Sequence, residues 1–388
     1  MVMEMYRVGG VVSGSDFVDR AELLKELIGE LPKNNFILTG PRRVGKTSLL
    51  DELGRRLSGK MIVVNLDIAT VHPLTKSNFL KHLGREILSA YVSSTGKRKL
   101  RITLSMKFED LMDAIKRLRV DVKDWATVYL AENPDLTDLA KHTFDLAEQL
   151  AVDCGQDYLI MLDEVPKLIR MKGSVPYPED IDFMWTLRGH MHKKQRSHFI
   201  ITGSAVGLVE RLYHPGDAPF HGTFLTRQVS DIDRESAEKL VKRMKKFVKI
   251  DDSLVQRIID KTGCWPFYLQ AFSRAAKEFA ESKTSRMIKL EDFEEIEKRA
   301  MNDLESHFSE LQEKLTSELE LTILVEMARR NINGASEVAQ ALGKPYPAAY
   351  SLMQRLVLEG FLKRVEAGKF EFLDHIFKEW LKRLGGEA

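Results

Sequence analysis

Gly40-Pro41-Arg42-Arg43-Val44-Gly45-Lys46-Thr47 follows the spacing G-x-x-x-x-G-K-[ST], and the rest of the chain is read outward from it. The run before it, Asn35-Phe36-Ile37-Leu38-Thr39, is apolar and of strand length. The run after it, Ser48 to Leu57, carries Leu at helical spacing. A strand, a Gly-bounded loop and a helix start form the context that a phosphate-binding loop requires. There, backbone N–H groups of the loop and unpaired donors of the helix's first turn converge on one spot, which suits a polyphosphate. The spacing assigns Gly40, Pro41, Arg42, Arg43, Val44, Gly45, Lys46 and Thr47 to nucleotide binding. Lys46 would reach the β- and γ-phosphates and Thr47 would ligate Mg²⁺.

At 388 residues the chain has room for two or three domains. Apolar content of 44% and charged content of 30% imply a soluble globular protein. With 59 basic against 57 acidic residues, bulk charge gives no argument for nucleic acid. Cys154 and Cys264 lack metal-ligand spacing and read as isolated thiols in a reducing interior. The first residues contain no apolar leader, and no apolar run reaches 18 residues, so the expectation is a cytoplasmic protein with no membrane partner.

Outward from the loop, residues 15–31 predict a helix capped by Ser15 or Asp16, and Lys60 to Asp67 a second strand. Residues 74–150 carry Leu, Phe and Ala at helical spacing, broken near Ser94 and Pro134, and predict a helical insertion between core strands. Asp157 to Glu164 and His198 to Ser204 predict a third and a fourth strand. Strands alternating with helices argue for a parallel α/β sheet covered on both faces. Beyond residue 232 the strand signal stops. Successive amphipathic helices follow, broken at Lys261 to Pro266. After residue 316 come three helix-length segments and a ribbon turned at Gly368, a winged-helix pattern. The expected division is a P-loop core over 1–232, a helical lid over 233–305 and a winged-helix domain over 306–388.

Asp163-Glu164 closes an apolar run, and an acidic pair at the C-terminal end of a buried strand faces the crevice where open α/β sheets bind ligands. Asp163 is expected to hold Mg²⁺ and Glu164 to polarise the attacking water. Ser204 ends the next strand two residues after Thr202. Either hydroxyl is placed to sense the γ-phosphate or hold that water, although Gly203-Ser204 is also ordinary turn chemistry.

Phe17-Val18-Asp19-Arg20-Ala21-Glu22-Leu23 resembles the opening motif of the archaeal ATPases, relatives of the AAA+ and STAND NTPases. Gly40 to Ser48 and Leu162-Asp163-Glu164 resemble their Walker A and Walker B motifs, and Ile201 to Ser204 their sensor strand. Thr262-Gly263-Cys264-Trp265-Pro266 is similar to their lid element, and Asp374 to Trp380 to the close of their C-terminal winged helix. The resemblance implies an ATPase using ATP/ADP and Mg²⁺, with Phe17, Val18, Arg20 and Pro266 near the adenine. Two positions depart from the pattern. Cys264 replaces a lid glycine, and His221-Gly222-Thr223 stands where a Gly-Arg pair is expected. Arg211 and Arg227 are the nearest substitutes for that phosphate-contacting arginine.

The winged-helix segment invites DNA, but residues 316–388 balance ten Lys or Arg against ten Asp or Glu. That is not the electrostatic footprint of DNA binding. The basic clusters Lys97 to Arg101 and Lys242 to Lys246 are short enough to be solvated faces, with Lys97 to Arg101 the first place to look for nucleic acid. Two readings stay open. One is an ATPase with catalytic Lys46, Glu164 and Ser204, coupling Mg-ATP turnover to movement of lid and winged helix. The other is a nucleotide-gated DNA- or protein-binding module, also able to form a homo-oligomer, with negligible turnover.

Overall fold

The computed structural model describes residue 6 and residues 8–95, 122–171, 178–214, 216 and 218–384. Helix α1 (Ala21–Glu30) precedes β1 (Asn35–Thr39), and α2 (Lys46–Leu57) leads to β2 (Ile62–Asp67). Helices α3 (Lys76–Ser94), α4 (Lys123–Leu130) and α5 (Leu136–Cys154) come before β3 (Tyr158–Asp163). Then follow α6 (Pro178–Met191), β4 (Ser197–Thr202), α7 (Val206–Tyr213) and β5 (Phe224–Gln228). The five strands form one sheet in the order β2-β3-β4-β1-β5, every pairing parallel. This is a P-loop NTPase sheet with flanking helices. The helices expected over 74–150 run on to Cys154, and the Lys97 to Arg101 cluster lies outside the described residues.

The pleat sorts the packing. Phe36, Leu38, Leu159, Met161 and Ile200 point to one face. Ile37, Tyr158, Ile160, Leu162, Phe199 and Ile201 point to the other. Such strict alternation inside fully buried strands lets each face take its own helical layer. The second face carries α3, α5 and α6; the first carries α1, α2 and a long apolar continuation into the C-terminal half.

Beyond β5 the chain is helical: α8 (Arg234–Lys242), the two-residue β6 (Lys249–Ile250), α9 (Asp252–Thr262), α10 (Pro266–Ser282), the two-residue β7 (Met287–Ile288), α11 (Phe293–Asp303) and α12 (Glu305–Gln312). The last section contains α13 (Glu318–Arg330), α14 (Ala335–Leu342), α15 (Tyr346–Leu358), the antiparallel ribbon β8 (Leu362–Glu366) and β9 (Lys369–Phe372), and α16 (His375–Leu384).

Several expectations need correction. The cap of α1 is neither Ser15 nor Asp16. It is Arg20, held at φ 67° without a side-chain cap bond. The sheet has a fifth strand, because β5 is an edge strand whose half-exposed Phe-Leu-Thr-Arg-Gln carries little hydrophobic signal. Cys264 sits at φ 60°, the left-handed region a glycine would favour, directly after Gly263 at φ 61°.

Candidate functional site

The loop after β1 is shaped by close approach and by handedness. A Cβ on Gly40 would lie 2.2 Å from the Val229 carbonyl oxygen, so no other residue fits there without moving the backbone. Gly45 takes φ 97° and starts α2 with no side-chain cap. The first-turn N–H groups of α2 are therefore left for whatever the loop encloses. Arg20 staples the loop from below, donating to the Gly45 carbonyl at 3.1 Å, to Val44 O and to Ser230 O at 2.9 Å.

Lys46 is buried, and its Nζ donates to Gly40 O at 2.8 Å and Pro41 O at 2.7 Å. Burial pushes its pKa down to about 8, opposed by the charges of Glu164 and Asp163. Thr47 Oγ1 donates to Asp163 Oδ2 at 2.6 Å, and Thr202 Oγ1 donates to the other carboxylate oxygen. Because β4 lies between β1 and β3, the Thr202 hydroxyl falls between the two motif strands. Glu164 stands just past β3 at φ 59°, a conformation sparsely populated by non-glycine residues and found where function demands it. Its Oε2 accepts from Ser204 Oγ at 3.1 Å and from the Ser204 amide at 3.4 Å.

Lys46, Thr47, Asp163, Glu164 and Ser204 line one cavity of about 490 Å³. Of the residues expected from sequence, Phe17, Val18, Arg20, Arg42, Arg43, Val44, Gly45, Lys46, Thr47, Ser48, Asp163, Glu164, Ser204 and Pro266 line it. Gly40 and Pro41 do not, and enter through the carbonyls that hold Lys46. Arg211 and Arg227 are elsewhere: Arg211 is exposed on α7, and Arg227 pairs with Glu26.

Sequence reasoning missed three contributions. Gly9 to Val12 reach the cavity because Val12 N donates to Ser48 Oγ at 3.2 Å and Gly14 N to the buried Glu52 at 2.8 Å. Asp67, in register with Asp163 at the end of β2, also lines the cavity. His307, Glu310 and Lys314 enter from α12 and the turn after it. His307 packs on the Phe267 ring at 4.6 Å, and burial beside Arg43 lowers its pKa to about 4, so its ring is neutral at pH 7. None of the three lies in a recognisable motif. The hint for Asp67 was its place at the end of an apolar run, like Asp163.

The donor chemistry fits a small hard cation. A threonine hydroxyl and a carboxylate supply the one or two protein oxygens that Mg²⁺ takes beside phosphate and water. In the other basic cluster, Lys242 and Lys245 pair with Asp252, and Arg243 approaches Asp16 at 3.6 Å, so that surface is neutralised by its neighbours. No described helix is long and apolar enough to cross a membrane.

The family model for an ATPase domain predominantly from Archaea matches residues 17–272, and the chain belongs to that family. Among solved structures, it is similar to the Walker-type ATPase of Pyrococcus abyssi, with TM-score 0.69 and 19% identity over 98% of this chain and 100% of that one. It is also similar to the ORC2 protein of Aeropyrum pernix in its ADPNP–ADP complexes, with TM-score 0.52 and 15% identity over 97% and 98% of the two chains. At these identities the likeness concerns the fold. No curated protein sequence matches the chain.

Proposed function

We propose that this archaeal-family ATPase binds Mg-ATP in the cavity at the start of α2 and hydrolyses it. The observation that carries this reading is the convergence of Lys46, Thr47, Asp163, Glu164 and Ser204 on one uncapped helix N-terminus. Thr47 and Asp163 would hold Mg²⁺, whose charge offsets that of the phosphates. Lys46 exchanges its loop carbonyls for phosphate oxygens. Glu164 accepts the proton of a water whose oxygen bonds to the γ-phosphorus as the bond to the bridging oxygen breaks, leaving ADP and phosphate. Ser204, bonded to Glu164, fixes that carboxylate's direction. Phe17, Val18 and Pro266 supply the apolar end where a base would lie.

In this proposal α8 to α11 act as a lid, and α12 to α16 with the ribbon act as a winged-helix domain moved by nucleotide state. The charge balance of residues 316–388 favours a protein surface over DNA as its partner. DNA binding by the purified protein that weakens steeply with salt would overturn that preference.

Steady-state ATP hydrolysis tests the enzyme reading. Glu164→Gln should keep nucleotide affinity and lower turnover at least about a hundredfold, the low end for a general base. Lys46→Ala should weaken binding itself. Unchanged turnover in Glu164→Gln would remove Glu164 from the reaction. Tight binding without turnover in the wild-type protein would leave the nucleotide-gated module.

A further inference from the structure

Neither Arg211 nor Arg227 reaches the cavity, and the guanidinium groups around it differ in what each already holds. Arg20 is committed to three backbone carbonyls under the loop. Arg43 lies over the Phe267 ring at 5.0 Å and faces Glu310 at 3.6 Å. Arg170 pairs with the buried Glu359 carboxylate. Arg42 differs. It lines the cavity, half-buried on the loop itself, and among the described residues no carboxylate pairs with it. Its hydrogen bond is a long one, Nη2 to the Glu359 carbonyl at 3.4 Å. At that length the contact is weak, and most of the five guanidinium donors remain available.

We infer that Arg42 is the chain's own γ-phosphate arginine, acting in cis from the phosphate-binding loop. The inference rests on the ATPase reading and adds to it the catalytic residue that the departure at His221-Gly222-Thr223 left open. Two observations carry it. Arg42 shares the cavity with Lys46 and Glu164, the groups proposed to face the terminal phosphate and its attacking water. A partly desolvated guanidinium with no direct ion pair among the described residues gains two parallel charge-assisted bonds when a phosphate arrives. Burial lowers the Arg42 pKa, and the charges of Glu164, Glu359 and Glu310 oppose that shift.

There is a structural consequence. The Glu359 carbonyl belongs to the turn between α15 and β8, and Gly360 of the same turn packs on the loop after β4, where an added Cβ would meet Ser204 O at 3.2 Å. When Arg42 takes the γ-phosphate it gives up that turn. ADP, which has no γ-phosphate, leaves the contact in place.

The test compares Mg²⁺-dependent binding of ADP and of a non-hydrolysable ATP analogue, together with ATP turnover, in the wild-type protein, Arg42→Ala and Arg42→Lys. We expect Arg42→Ala to lose at least about tenfold of the preference for the triphosphate while ADP affinity stays within about twofold. Its kcat should fall by about a hundredfold or more, in line with other arginines that stabilise phosphoryl transfer. Arg42→Lys keeps the charge but not the fork and should recover only part of both. Wild-type preference and turnover retained in Arg42→Ala would overturn the inference. If Arg42→Ala fails to fold, the same retention in Arg42→Lys would do so. A wild-type protein that binds neither nucleotide would instead remove the ATPase reading, and this inference with it. Binding without turnover would leave the triphosphate preference to decide.

Discussion

Lys46 shows what a single residue owes to its surroundings. Its ammonium is held by two loop carbonyls in a buried position, and its pKa has fallen to about 8. Phosphate binding requires the protonated form and would raise that pKa again. Nucleotide affinity should therefore be flat below about pH 8 and fall up to about tenfold per pH unit above it, with proton uptake on binding in that range. Titration calorimetry with ADP from pH 6.5 to 9.5, in buffers of different ionisation heat, would show this (the range being about 1.5 units either side of the shifted value). Lys46→Arg, always charged, should lack the break. A break that persists in Lys46→Arg would assign it to another group. The motif made Lys46 legible because its partners lie within the same eight residues. Arg20 was read as lying near a base, and its three bonds to carbonyls beneath the loop were not, since Ser230 O is 210 positions away.

Among the elements, those with strong periodicity were readable, as for the three helix-length segments expected after residue 316, which are α13, α14 and α15. Edge strand β5 and the two-residue strands β6 and β7 were not. Their residues are polar or few, and partners distant in sequence create them. Helix α16 joins both kinds of information. Asp374, which opens the closing motif, caps the helix by accepting from the amides of Ile376 at 3.0 Å and Phe377 at 2.9 Å. The same carboxylate accepts from the Tyr268 hydroxyl of α10, which no sequence pattern shows. Asp374→Ala should cost about 2–4 kcal/mol, from a lost cap and an unpaired buried hydroxyl. Asp374→Asn, which retains an acceptor, should cost less than half as much. Denaturant midpoints would measure both, and equal losses would assign the effect to charge rather than to capping.

Across the whole molecule, one apolar cluster runs from the sheet face at Phe36 and Leu38 through Tyr268 and Phe308 to Trp380 and Leu381. The C-terminal helices are therefore packed onto the helices that follow β5. They also touch the core next to the cavity, where a Cβ on Gly207 would stand 2.8 Å from Leu358 Cα and Val357 O. Gly207→Ala should push the α15–β8 turn outward, costing about 1–3 kcal/mol as an overpacked contact. Thermal unfolding should fall and proteolysis beyond residue 316 should quicken, whereas unchanged behaviour in both would mean that the contact carries no load. The sequence by itself determined the phosphate-binding loop, the buried strands around it and the helical character of the rest, because those depend on neighbours a few residues apart. Only the tertiary structure decided which of the cavity's arginines are already tied to other groups. Arg42 and Glu359 lie 317 positions apart, and no local pattern encodes their contact. Burial of shared apolar surface between distant elements brings them together and sets the Arg42 guanidinium in the cavity with Lys46 and Glu164.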